Sequence, residues 1–156
     1  MSLNLGAIGK GYAVDRAVET LKLHGIKNGL VNAGGDLMAF GLKDGTKPWS
    51  IGIQHPRKPE KIIASLTLKD KAVATSGDYQ KYFILEGKRY HHILDSKNGW
   101  PSGKTISATV IANTVADADA LSTALFILGE EKGLKLINSL EDVEGMILSN
   151  IKSTSF

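Results

Sequence analysis

Two hydrophobic periods alternate along the chain. From Tyr12 to His24, the residues Ala13, Val14, Ala17, Val18 and Leu21 recur at helical spacing, and Gly25 supplies a stop. Strand-like segments follow, either alternating or as short apolar runs: Gly29 to Val31, Leu37 to Leu42, Trp49 to Gln54, Ile62 to Leu68 and Ala72 to Ala74. Tyr82 to Leu85 and Arg89 to Leu94 form a hairpin across Glu86-Gly87-Lys88, and Ile106 to Ala112 and Val143 to Leu148 complete the set. Turn formers at Asn32 to Asp36, Lys43 to Pro48, Lys69 to Lys71 and Asp95 to Pro101 separate these segments, while His55 to Pro59 breaks the pattern and makes His55 a surface-loop residue. Thr114 is a good N-cap for a second helix, with Asp117 as its capping-box partner and Gly129 as its stop. Glu130 to Leu140 is a further amphipathic helix, and Ser149 to Phe156 a polar tail expected to fray. Hairpins beside helices, without regular βαβ alternation, predict an α+β fold: a mixed, mostly antiparallel sheet with two or three packed helices.

The helix after Thr114 contains the first chemical signal. Asp119 and Thr123 lie four positions apart and share one face of an otherwise apolar segment. A buried carboxylate is costly unless something positive meets it, so the rest of the chain must supply a partner.

Length and composition narrow the candidates. At 156 residues the chain is read as one domain, residues 1–156, able to bury roughly 70% of its unfolded surface. Nineteen basic against 16 acidic residues give a net charge of +3, and no Lys/Arg run exceeds two, so no nucleic-acid partner is assigned. The absence of cysteine excludes disulfides and thiolate metal sites but fits a reducing or an oxidising compartment equally. No apolar run approaches the length of a membrane span. Met1-Ser2-Leu3 leads at once into a motif, with no signal region, so the parent's targeting information is expected to lie elsewhere.

Several polar features join the Asp119/Thr123 face. The glycine-rich stretch Asn4 to Gly11 runs into the first helix, and either its backbone N–H groups and Lys10 cradle an anion or its glycines merely make a tight turn with Lys10 in solvent. Gly34-Gly35 after a strand permits positive φ and a close approach to a ligand, and equally suits a plain turn. Ser76-Gly77-Asp78 ends another strand. His91 and His92 point to opposite faces if both are in a strand, so only one can face a site. Hard oxygen donors without thiolates suit Mg²⁺ shared with substrate phosphates.

Five segments, Leu5 to Asp15, Asn32 to Asp36, Thr75 to Tyr79, Tyr90 to Asp95 and Ala118 to Ala124, together resemble the ApbE family of FAD:protein FMN transferases, in the family's order and over nearly the whole chain. The resemblance implies a T-fold-related architecture corresponding to the C-terminal half of family members. It implies that Asp119 and Thr123 ligate Mg²⁺ with a backbone carbonyl near Ala7, that Lys10 contacts the pyrophosphate, and that Ser76, Gly77 and Asp78 belong to the flavin-side pocket. His92 would stand near the reacting phosphate and assist proton transfer, with His91 facing elsewhere.

The implied substrates are FAD and a target protein. A Ser/Thr hydroxyl of the target attacks the FMN-side phosphorus, AMP leaves, and FMN stays attached. Alternatives within the resemblance are a truncated flavin-nucleotide-binding module without turnover and an Mg²⁺-dependent FAD hydrolase. It also implies a parent anchored to a membrane and facing the periplasm or cell exterior, and exposed surface left by the missing half favours a homo-oligomer. Asn4 stands where the family commonly has Asp, and Ser96 and Asn98 replace its usual Pro and Thr.

Overall fold

The computed structural model describes residues 4–103 and 105–149, so the chain start at Met1-Ser2-Leu3 and nearly all of the polar tail lie outside the described residues. Its centre is a five-stranded antiparallel sheet in the order β1-β2-β5-β8-β9, formed by β1 (Gly29–Ala33), β2 (Asp36–Phe40), β5 (Lys71–Gly77), β8 (Thr105–Ala112) and β9 (Glu144–Ser149). Two ribbons stand beside it: β3 (Trp49–His55) with β4 (Lys58–Leu68), and β6 (Tyr82–Leu85) with β7 (Lys88–His91). The helices are α1 (Gly9–Leu23) and α2 (Val115–Ile137).

Strand alternation assigns each side of the sheet its own core. Phe40, Ala72, Ala74, Ala108, Val110 and Ala112 face the helices, where Val14 and Val18 of α1 and Val115, Ala118, Leu125 and Phe126 of α2 cover them. The residues between, Leu37, Ala39, Val73 and Ile111, face the opposite way and are covered by Trp49, Ile51, Leu66 and Leu68 of the β3–β4 ribbon. The small residues of β5 and β8 allow α2 to lie close to the sheet.

The local signals act as their chemistry requires. Thr114 Oγ1 accepts from Asp117 N at 3.1 Å, and its hydroxyl donates to Asp117 Oδ2 at 2.6 Å. Gly129 takes the non-helical φ 74° and ψ −173° and divides α2 into two helical parts, so the two expected helices meet at a kink at the expected residue. The helix α1 begins at Gly9, three residues before the expected Tyr12. His55 corrects the reading of a loop: it closes β3, is only partly exposed, and its Nδ1 accepts from Arg57 N at 3.0 Å across a tight turn into β4. β7 ends at His91, leaving His92 just beyond the strand. No helix among the described residues is long and apolar enough to cross a membrane.

Candidate functional site

The glycine stretch and α2 meet where α1 begins. Gly11 lies flat against the first turn of α2: a Cβ added there would stand 2.4 Å from the Val115 carbonyl oxygen. Close approach is fixed further by Asp15, whose two carboxylate oxygens accept from Val115 N and Ala116 N at 2.9 Å each. This carboxylate caps a helix from 100 residues away in sequence, and no local pattern reveals it.

One turn along α2, Asp119 is 4% exposed and its Oδ2 accepts from Gly11 N at 3.0 Å. Among the described residues the buried carboxylate is therefore met by the positive end of α1 and not by a cationic side chain. Its other oxygen receives no hydrogen bond among the described residues. Gly11 N is one of the first-turn donors of α1, which have no partner within the helix, and the carbonyl of Ala7, one residue before the N-cap Ile8, accepts no hydrogen bond among the described residues, while Tyr12 N bonds Ile8 O at 3.0 Å. Thr123 lies beside Ser76, their hydroxyl oxygens 3.0 Å apart, and Ser76 also meets Ser122 Oγ at 3.0 Å. A carboxylate oxygen, a hydroxyl and a free carbonyl are hard donors of the kind Mg²⁺ takes while keeping several waters. Among the described residues no group of three His, Cys, Asp or Glu side chains converges on a metal position, so a cation here would depend on this sparse oxygen set.

Lys10, one residue before Gly11, extends from the glycine turn to Asp36, with Nζ 2.5 Å from Oδ2. Asp36 opens β2 directly after Gly34 (φ 64°) and Gly35 (φ 102°), both in the left-handed region, where no Cβ-bearing residue fits easily. Burial raises the Asp36 carboxyl above the ordinary range, with Lys10 pulling it back down, the Asp119 charge pushing it up and the Thr75 backbone N–H lowering it.

These parts surround one cleft of about 1190 Å³. Ala7, Lys10, Ser76, His92, Asp119 and Thr123 all line it, together with the Gly34-Gly35 turn. Apolar wall comes from Ile51 and Ile53 of β3 and from Leu37 and Val73 of the sheet face that Ile51 covers. Gly77 and Asp78 do not line the cleft. Gly77 makes room for Tyr79, whose ring would stand 2.4 Å from an added Cβ, and it is Tyr79 that reaches the cleft. Asp78 is turned into a bidentate pair with Arg57, Nη1 and Nη2 each 2.6 Å from a carboxylate oxygen, and Arg89 Nε lies 4.0 Å away. Asp78 thereby ties the turn of the β3–β4 ribbon and the β6–β7 ribbon to the end of β5.

The two histidines face different surroundings, although only His91 is in the strand. His91 is buried, its Nε2–H donating to Ser102 O at 2.9 Å, its Nδ1 accepting from Ile93 N at 3.3 Å, and its ring edge-on to Phe126 at 5.4 Å. Burial lowers its pKa below the ordinary histidine value, partly offset by the Ser102 carbonyl. His92 is exposed to the cleft, and its Nδ1 lies 3.2 Å from Lys81 O. A carbonyl only accepts, so Nδ1 carries the proton and Nε2 keeps its lone pair.

The comparisons with known proteins agree with this architecture. The model of the ApbE family matches residues 1–147. The FAD:protein FMN transferase of Klebsiella pneumoniae is 38% identical over 151 residues, covering 96% of this chain and 46% of that protein, and the one of Treponema pallidum is 37% identical, covering 95% and 44%. The crystal structure of the ApbE protein of Thermotoga maritima superposes with a TM-score of 0.88 at 41% identity, covering 95% of this chain and 48% of that one. The apo flavinyl transferase ApbE of Pseudomonas stutzeri gives 0.80 at 38% identity, covering 96% and 46%. The chain thus spans about half the length of the relatives it matches. With a family match over nearly all of its residues and the same fold, the chain belongs to the ApbE family.

Proposed function

We propose that this chain carries the metal and pyrophosphate portion of an FAD:protein FMN transferase, which moves FMN from FAD onto a Ser/Thr hydroxyl of a target protein and releases AMP. The observation that carries the reading is the convergence of Asp119, Thr123 and the unpartnered Ala7 carbonyl with Lys10 and His92 on one cleft. Asp119, Thr123 and Ala7 would hold Mg²⁺, which when bound neutralises pyrophosphate charge. Lys10 adds a second positive group at the same place, and the Gly34-Gly35 turn lets phosphate oxygens approach backbone. The apolar residues Ile51, Ile53 and Leu37 suit a flat aromatic ring system.

In the reaction the acceptor oxygen bonds to the FMN-side phosphorus and the bond from that phosphorus to the bridging oxygen breaks, so AMP leaves with that oxygen. The hydroxyl proton passes to His92 Nε2, the nitrogen left free by the bond to Lys81 O. The reading extends to a parent protein anchored at a membrane and facing the periplasm or exterior, supported by the family resemblance alone. The whole-protein partners, one-domain boundary and self-association belong to the same proposal.

Incubation with FAD and Mg²⁺, with and without a Ser/Thr acceptor peptide, distinguishes the outcomes by mass. The expected product is the peptide carrying FMN. Free FMN with AMP in the presence of peptide identifies a hydrolase, and bound but unchanged FAD identifies a binding module; either overturns transfer by this chain.

A further inference from the structure

We infer that Asp36 is a positioning residue that pins the Lys10 ammonium over the cleft for a pyrophosphate, an inference that rests on the cleft being the FAD site. The geometry is asymmetric. Asp36 is 1% exposed while Lys10 is 45% exposed, so the carboxylate is the fixed member and the lysine the one being held. Asp36 is rigidly placed at the first residue of β2, paired with Ala33 across the two-glycine turn. Its Oδ2 lies 2.5 Å from Lys10 Nζ yet has no donor in hydrogen-bond alignment, so the ion pair alone compensates that oxygen.

A buried carboxylate compensated only by one ion pair and the Thr75 backbone N–H is a weak stabilising device. An amide or an apolar side chain would open β2 at lower cost. What the carboxylate supplies is a constraint on a flexible four-carbon side chain that would otherwise sample solvent. Lys10 and the Gly34-Gly35 turn border the same cleft as Asp119 and Thr123. An ammonium has three donors, so Lys10 can remain on Asp36 and still offer two to phosphate oxygens. Ordering it before the ligand arrives removes part of the cost of binding.

A stability role and a positioning role predict opposite signs for one variant. In Asp36→Asn, FAD affinity, read by quenching of flavin fluorescence, is expected to fall about 5- to 10-fold while the melting temperature stays equal or rises. Lys10→Met should lower affinity and also lower the melting temperature, because Asp36 is then buried without its cation, and the double variant should recover the temperature but not the affinity. The ¹⁵N relaxation of the Lys10 ammonium, measured without ligand, should report an ordered group in the wild type and a mobile one in Asp36→Asn. Unchanged affinity in Asp36→Asn beside a weakened Lys10→Met, or a Lys10 equally mobile in both proteins, overturns the inference. Wild-type protein that fails to bind FAD refutes the proposed function instead, and the pinning is then decided by the ammonium relaxation alone.

Discussion

Gly11 N donates to Asp119 Oδ2 at 3.0 Å across 108 residues of sequence. That single bond joins the start of α1 to the polar face of α2, on the cleft that the Ala7 carbonyl also borders. Around it, the glycine at position 11 sets the helix separation and Asp15 holds the first turn of α2.

Gly11→Ala tests the junction. A methyl group 2.4 Å from Val115 O must push the helices apart, at a cost of about 1–3 kcal/mol. Chemical denaturation should show that loss, and Mn²⁺ affinity should fall with it because Ala7 and Asp119 no longer share one edge of the cleft. A variant of wild-type stability would mean that the contact relaxes freely.

Arg57→Ala should cost about 1–3 kcal/mol, since it leaves Asp78 buried beside only the more distant Arg89, while the partial exposure of Arg57 limits the loss. Arg57→Ala with Asp78→Asn together should cost less than Arg57→Ala alone. Urea denaturation of the cycle checks the coupling, and strict additivity would contradict it.

His91 gives a pH dependence of defined sign. Its folded pKa is lowered by burial, so below about pH 6.5 the unfolded chain takes up a proton that the folded state refuses. Its contribution is therefore complete above that pH and is lost as pH falls toward the folded pKa. The groups that act on it are the Ser102 carbonyl, Asp78, His92 and Arg89, and Phe126 packs on the ring. The melting temperature should drop between pH 7.5 and pH 5.5 in the wild type and drop less in His91→Gln.

Much of this fold is legible in the sequence because its signals are local. Thr114 and Asp117 cap α2, Gly129 breaks it, and alternation in β5 and β8 separates the two sheet faces. The Asp119/Thr123 face is visible from spacing, yet the partner of Asp119 is not, since it is a backbone N–H and not a charged side chain. Lys10 was legible as a cation near glycines, but its pairing with Asp36 needs the sheet to bring the two together. Asp78 and Arg57 are 21 residues apart, and no period links them. His55 resembles a loop residue because Pro56 and Pro59 follow it; Pro56 sits in the turn between the strands, where no ladder hydrogen bond is required of it, and Pro59 lies on an exposed stretch of β4.

The most direct test of the central claim is a Mn²⁺ titration, followed by electron paramagnetic resonance, of the wild type and of Asp119→Ala. Saturable binding is expected in the wild type, displaced by Mg²⁺ and lost in Asp119→Ala, with circular dichroism showing the same secondary structure in both. Equal Mn²⁺ binding by a folded Asp119→Ala protein would contradict it.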